Sequence, residues 1–245
     1  MTQSLAAFGP DLFLSEGPVV RGAGGFRFPT RMAVARMPDC GLWVWSPVAL
    51  TPELRAAVDA LGPVRHVVAP NGLHHLFVGE WASAYPEARV YAAPDVAGKH
   101  PDLGPVRPLS DDVPGAWRAV FDMALVRGNR LTTEAVFLHR PSRTVLVCDL
   151  MQNIPRDFYR GWRKVIARLD RMTEPEPAMP AKFRVGFVDR AAARPAAARI
   201  LSWPAERLVV AHGTPVDRDP APLLERAFGA LARGGRGEPH ASDPG

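Results

Sequence analysis

The stretch VRHVVAPNGLHH, residues 64–75, decides the fold. VRHVVA is a short, continuous apolar run of the kind that forms a strand buried on both faces. It breaks at Pro70-Asn71-Gly72, where proline and glycine interrupt regular structure. Two adjacent histidines follow, opening what the sequence predicts to be a helix over residues 73–84. Upstream, RMAVARM (31–37) and GLWVWS (41–46) read as strands joined at Pro38-Asp39. Thr51-Pro52-Glu53 then starts a helix, with Thr51 as N-cap and Pro52 at the first helical position. Gly62 closes it. With a further strand at ARVYAA (88–93), the order is β-α-β-α-β, which predicts an α/β layered architecture.

Downstream, residues 117–126, 133–139 and 143–149 read as strands, the last two joined by the turn HRPSR (139–143). A helix is expected over 157–171, with Phe158, Trp162, Val165 and Leu169 on one face. Arg160, Arg163, Lys164, Arg168 and Arg171 cover its other face and read as a solvated surface. Residues 173–182 form a proline-broken loop, 189–202 a helix, 207–213 a strand ending in His212-Gly213, and 221–232 a last helix. A single domain is expected over residues 1–228, with 229–245 as a disordered tail.

Composition excludes several classes. Of 245 residues, 47% are hydrophobic and 22% charged, the profile of a soluble globular chain. No run approaches the roughly 20 apolar residues of a membrane helix, and the N-terminus lacks the pattern of a secretory signal. The expected location is cytoplasmic, with no membrane partner. Cys40 and Cys148 lack CxxC spacing and read as buried small hydrophobes rather than a disulfide or thiolate site. The net charge of +5 rests on dispersed arginine, so nucleic acid is the least favoured partner and a small molecule the most favoured. There is no GxSxG, no phosphate-binding GxxxxGK[ST] loop and no HExxH. RGAGGF (21–26) lacks the strand-to-helix setting of a dinucleotide fingerprint and reads as a loop.

What remains is the placement of polar residues just beyond strand ends: Asn71, His74 and His75 after one strand, Asp149 after a second, His212 after a third. In α/β folds such positions build the functional crevice, and imidazole with carboxylate is the ordinary material of a zinc, iron or manganese site. Taken singly, His66 and His139 read as structural.

These segments resemble the metallo-β-lactamase family. PNGLHH occupies the place of its HxHxDH loop, RGN (127–129) that of PGH, VCDL (147–150) that of the GD step, and AHG (211–213) that of the terminal histidine motif. More specifically, residues 42–75 together with FLHRPSRTVLVCDLMQN look like the DUF4336 branch of that superfamily. The resemblance spans roughly residues 15–228 and implies an αββα sandwich. It also implies that one metal position is dismantled, because its ligands fall on Pro70, Gly72 and Asn129. The other position falls on His74, His75, Asp149 and His212, all competent ligands for one divalent transition metal (Zn, Fe or Mn). The implied activity is mononuclear metal-dependent hydrolysis of an ester, lactone or thioester. Asp149 is then ligand or proton acceptor, and Asn71, Asn129 and His139 are candidates for contacting substrate. The alternative is a non-catalytic, metal-free member that binds a small molecule in a pocket lined by Trp43, Trp45 and Trp81, or that serves a structural role.

Overall fold

The computed structural model describes residues 4–97 and 105–233. Strands β1 (Ala6–Gly9), β2 (Leu12–Glu16), β3 (Val20–Arg21), β4 (Arg27–Phe28), β5 (Arg31–Arg36) and β6 (Leu42–Trp45) precede helix α1 (Pro52–Asp59). Then come β7 (Val64–Ala69), α2 (Val78–Ala84), β8 (Arg89–Ala92), α3 (Pro94–Ala97) and β9 (Val106–Pro108). The second half holds β10 (Phe121–Val126), β11 (Glu134–His139), β12 (Thr144–Val147), α4 (Trp162–Leu169), α5 (Ala181–Gly186), α6 (Arg190–Leu201), β13 (Arg207–Val210) and α7 (Ala221–Ala232).

Two sheets face each other. One has the order β1-β2-β5-β6-β7-β8-β9, the other β10-β11-β12-β13. The period of two along each strand sends alternate side chains into different layers. Leu12, Leu14, Ala33, Ala35, Trp43 and Trp45 meet Phe121, Met123, Leu125, Phe137 and Leu146 in the layer between the sheets. Met32, Val34, Leu42, Val44 and Val67 point the other way, onto Leu54 and Val58 of α1 and Trp81 of α2. On the far side, Val136, Leu138, Val145 and Val147 pack against α5, α6 and α7 through Phe183, Ile200 and Phe228. The expected αββα sandwich is therefore the observed architecture. Covering both sheet faces explains why β6, β7 and β12 are almost continuously apolar.

The hairpin between β5 and β6 turns where Pro38-Asp39 predicted, and the Thr51 hydroxyl accepts from Leu54 N at 3.3 Å as its N-cap role requires. Other boundaries move. The helix expected from residue 73 starts at Val78, because residues 71–77 are spent in turns. The helix expected over 157–171 shrinks to α4, bracketed by left-handed backbone at Gly161 (φ 58°) and Arg171 (φ 60°). Its apolar row faces outward instead of into the core. The expected strand 117–126 begins only at Phe121, after a 3-10 turn at Gly115–Trp117. Residues from Ala181 form α5 rather than loop. α7 runs through Ala232, beyond the expected domain limit, and residues 234–245 of the expected tail lie outside the described residues. Cys148 is buried, but Cys40 is exposed, in the left-handed turn (φ 60°) before β6. Among the described residues no helix is long and apolar enough to cross a membrane.

Candidate metal centre

Three strand exits converge. Pro70, after β7, accepts from Ala135 N at 2.8 Å and so ties this exit to the start of β11. The next residue, Asn71, is fully buried and organises the loop. Its Oδ1 accepts from Leu73 N (2.9 Å) and His74 N (3.0 Å), and its Nδ2 donates to Glu134 Oε2 and Asp149 Oδ2, both at 2.9 Å. Such an Asx turn replaces helix start with a tight reversal, which throws the His74 ring inward. Gly72 leaves room here for the Asp95 carboxylate, whose Oδ2 would lie 2.4 Å from a Cβ at this position. Asp149 follows β12. His212 follows β13 and is succeeded by Gly213 (φ 111°), where a Cβ would meet Asn153 O at 1.9 Å.

His74 Nε2 lies 3.0 Å from His212 Nε2, 3.4 Å from Asp149 Oδ2, and His212 Nε2 lies 3.4 Å from Asp149 Oδ1. The outer edges of both rings are held. The His212 Nδ1–H donates to the Pro29 carbonyl at 2.7 Å. Ser46, in left-handed backbone (φ 49°) after β6, donates from Oγ to the Arg31 carbonyl (3.2 Å), leaving its lone pairs to accept the His74 Nδ1–H at 2.8 Å. A neutral imidazole has one N–H, so with that proton on Nδ1 the His74 Nε2 turns a lone pair toward His212 and Asp149. Burial pushes the His74 pKa down to about 4, against the pull of Asp149, which keeps the ring neutral near pH 7. Burial alone would raise the Asp149 carboxyl. His74, His212 and the Asn71 amide overcome that and hold it well below the usual range, so it is an anion. The two Nε2 atoms and the Asp149 carboxylate thus converge on one spot, 3.0–3.4 Å apart.

Behind them lies Glu134, a residue that sequence reasoning missed. It is fully buried at the head of β11. Oε1 accepts from Cys148 N (2.8 Å), and Oε2 from Asp149 N (2.8 Å), Leu150 N (3.2 Å) and the Asn71 amide. Burial, then the neighbouring Asp149, lift its pKa to about 7, against those hydrogen bonds. The available signal was one acidic residue opening an otherwise apolar strand, EAVFL. Cys148 Sγ also comes within 4.8 Å of the ligand atoms of His74 and Asp149, but burial raises its pKa far above the ordinary thiol value, so it is a neutral thiol.

The remaining expected site residues fall elsewhere. His75 lines the adjoining cavity, and its Nδ1 bonds the Gly72 carbonyl at 3.0 Å. The three-way contact itself comprises His74, Asp149 and His212. Asn71 is buried beneath the site and positions Asp149 rather than facing a substrate. Asn129 is spent on backbone: Nδ2 donates to Phe183 O at 2.7 Å and Oδ1 accepts from Leu131 N at 3.0 Å. His139 sits at the far end of β11 from Glu134, about 17 Å away at some 3.4 Å per residue, and bonds Ser142 Oγ at 2.7 Å. It cannot touch a substrate at the centre. Trp43, Trp45 and Trp81 are fully buried core side chains and line no pocket at the site.

The three-way contact floors a cavity of about 940 Å³. Its walls are mostly apolar, including Phe26, Phe28, Leu73, Leu131, Ile166 and Phe183. Gln152 joins the floor, with Nε2 3.5 Å from Asp149 Oδ1 and a buried Oε1 that has no partner among the described residues.

This sandwich matches solved structures over nearly its whole length. The metallo-β-lactamase from Pontibacter korlensis superposes with a TM-score of 0.59 at 12% identity, covering 94% of this chain and 99% of that one. The metallo-β-lactamase from Hirschia baltica gives 0.60 at 9%, covering 94% and 98%. The fold is that of the metallo-β-lactamases. Another match is FIM-1 from Pseudomonas aeruginosa, a metallo-β-lactamase in its mono-zinc form, with a TM-score of 0.56, 13% identity and coverage of 95% and 94%. The family model DUF4336, a domain of unknown function, matches residues 21–98, which include His74 and His75 but neither Asp149 nor His212. No curated protein sequence matches this one. At these identities the metallo-β-lactamase likeness speaks for the fold; the chemistry rests on the residues.

Proposed function

We propose that the protein is a mononuclear metal-dependent hydrolase of an apolar ester, lactone or thioester. The observation that carries this reading is the convergence of His74 Nε2, His212 Nε2 and the Asp149 carboxylate, 3.0–3.4 Å apart, with the Nδ1 edge of each ring held by Ser46 or Pro29. Metal–nitrogen and metal–oxygen bonds of about 2.0–2.1 Å put tetrahedral ligands roughly 3.3 Å apart and cis-octahedral ones about 3.0 Å apart. The observed spacing fits a cation of that size. The Nδ1 contacts to Ser46 and Pro29 are the outer bonds that fix ligand histidines.

A bound Zn, Fe or Mn ion would act as Lewis acid and lower the pKa of a water molecule toward about 7. The chain's own contribution is orientation and exclusion of water. Asn71 and Glu134 fix Asp149 from behind, while the apolar walls select a substrate whose reacting carbonyl carries hydrocarbon. Gln152, at the cavity floor, adds its amide 3.5 Å from Asp149 Oδ1. His75, on the cavity wall, is the candidate fourth ligand or the proton acceptor on the substrate side.

The test is metal analysis of chain purified without chelator, alongside hydrolysis of p-nitrophenyl esters and acyl thioesters of increasing length. The expected result is about one transition metal per chain and chelator-sensitive turnover that improves with acyl length. Well under one metal per chain, with hydrolysis absent, would overturn it. The apolar cavity would then favour the second reading, a metal-free binder of small apolar ligands, read out by ligand-induced thermal shift.

A further inference from the structure

Helix α4 is built backwards for a soluble protein. Trp162, Val165, Ile166 and Leu169 recur at i, i+3, i+4 and i+7, the spacing of an apolar stripe, yet they are 56%, 59%, 43% and 75% exposed. Only Ala167 of this helix is buried. The stripe is not isolated. Ile166 and Leu169 line the mouth of the 940 Å³ cavity together with Leu73, Leu76 and Leu131, which are themselves exposed. Phe26, another wall residue, meets the Trp162 ring edge-on at 5.9 Å.

Cations border this apolar ground. Arg21, Arg27, Arg160 and Arg163 line a second, open cavity of about 700 Å³ against a single carboxylate, Asp157. Arg21 lines both cavities, so the basic cavity adjoins the mouth of the apolar one. The Arg163 guanidinium lies 4.4 Å from the Trp162 ring centre. Lys164 and Arg168 stand on the rest of the helix surface.

We infer that this face docks on an anionic lipid surface, with α4 lying in the interface plane. A short helix with an outward apolar row, tryptophan and flanking arginines has the chemistry of an interfacial helix: the apolar row enters the acyl boundary and the cations meet lipid phosphates. Charge decides against a second copy of this chain. In a two-fold dimer the same patch meets itself, which would set the arginines of one basic cavity beside those of the other. An anionic bilayer supplies both the hydrocarbon and the counter-charge. Docked this way, the cavity opens toward the membrane. No membrane partner is expected from composition, and α4, at 8 residues, is far too short to span a bilayer; docking on the surface requires no spanning segment. The inference requires no metal, so its failure would leave the hydrolytic reading standing.

The experiment is co-sedimentation of the full chain with vesicles of phosphatidylcholine alone and of phosphatidylcholine with about 30% phosphatidylglycerol, at low and high salt. Expected is binding to the anionic vesicles that weakens with salt and falls at least tenfold in Leu169→Asp and in Trp162→Ala. The double variant Arg160→Glu/Arg163→Glu should lose the preference for anionic lipid. All these side chains are at least partly exposed, so thermal unfolding should be unchanged and loss of binding is not loss of fold. Absence of binding to anionic vesicles at low salt, or binding indifferent to Leu169→Asp, overturns the proposal. So does a concentration-dependent dimer abolished by Leu169→Asp, which would assign the face to a second copy. Binding of duplex RNA that is indifferent to Leu169→Asp, without vesicle binding, would assign the arginines to nucleic acid.

Discussion

Pro70, Gly72 and Asn129 stand where the family resemblance puts one metal position; His74, Asp149 and His212 stand where it puts the other. At the first, every group is committed to the protein itself. The Pro70 carbonyl holds β11, Gly72 leaves only 2.4 Å between a would-be Cβ and Asp95, and both ends of the Asn129 amide are bonded to backbone. At the second, the rings are held at their outer nitrogens by Ser46 and Pro29, while the inner ones lie 3.0 Å from each other and 3.4 Å from a carboxylate. At the first, backbone and neighbouring side chains fill the space; at the second, three polar groups face one another on the floor of the cavity.

That contrast can be broken most severely from behind. Glu134→Ala leaves the Cys148, Asp149 and Leu150 N–H groups and the Asn71 amide without an acceptor in the core. Removing one partner of a buried, charged hydrogen-bond network costs about 3–5 kcal/mol, so the urea midpoint should collapse or the chain become insoluble. Next in size, His212→Ala removes one of the three proposed ligands and should weaken zinc binding at least a hundredfold (about 2.7 kcal/mol), as measured by competition with a chromophoric chelator. Asn129→Ala should leave that affinity unchanged. The same Asn129→Ala variant supplies the smallest effect, about 1–2 kcal/mol of stability from two lost hydrogen bonds, read by denaturant unfolding. If Asn129→Ala cost metal and His212→Ala did not, the two positions would have to be exchanged.

Between these lies a pH effect away from the centre. Burial lowers the His139 pKa from its ordinary 6.5 to about 4. The unfolded chain therefore takes up a proton near pH 6.5 that the folded chain refuses until about pH 4. Its contribution is fully present above 6.5 and is lost as pH falls toward 4, by about 3 kcal/mol. His66 and His74 are lowered to about 4 as well, so His139→Gln should reduce the slope of that part of the stability–pH curve by about a third, measured by urea unfolding at steps between those values.

The sequence made much of this legible. Apolar runs at β5, β6, β7 and β12, with turn residues between them, gave the layers, because a strand covered on both faces must be apolar on both. Asp149 and His212 stood out as polar residues terminating such runs, and His74 through the PNGLHH loop. Glu134 did not stand out, because its role depends on three backbone N–H groups of another strand exit, more than a dozen residues on. Asn129 and His139 were misplaced for the same reason: a polar residue beside a strand looks alike whether it faces a site or a backbone carbonyl.

The direction of α4 was equally beyond the sequence. Its i, i+3, i+4 row fixes that one side is apolar, which is a local property of the helix period. Whether that side meets the core or the solvent depends on where Gly161 and Arg171 turn the chain and on which neighbours already fill the layer. The order of residues thus determined the sandwich and named three of the groups at its strand exits. Only the packed structure decided which nitrogens of those groups are fastened and which face one another, because hydrogen-bond partners far apart in the chain meet only after folding.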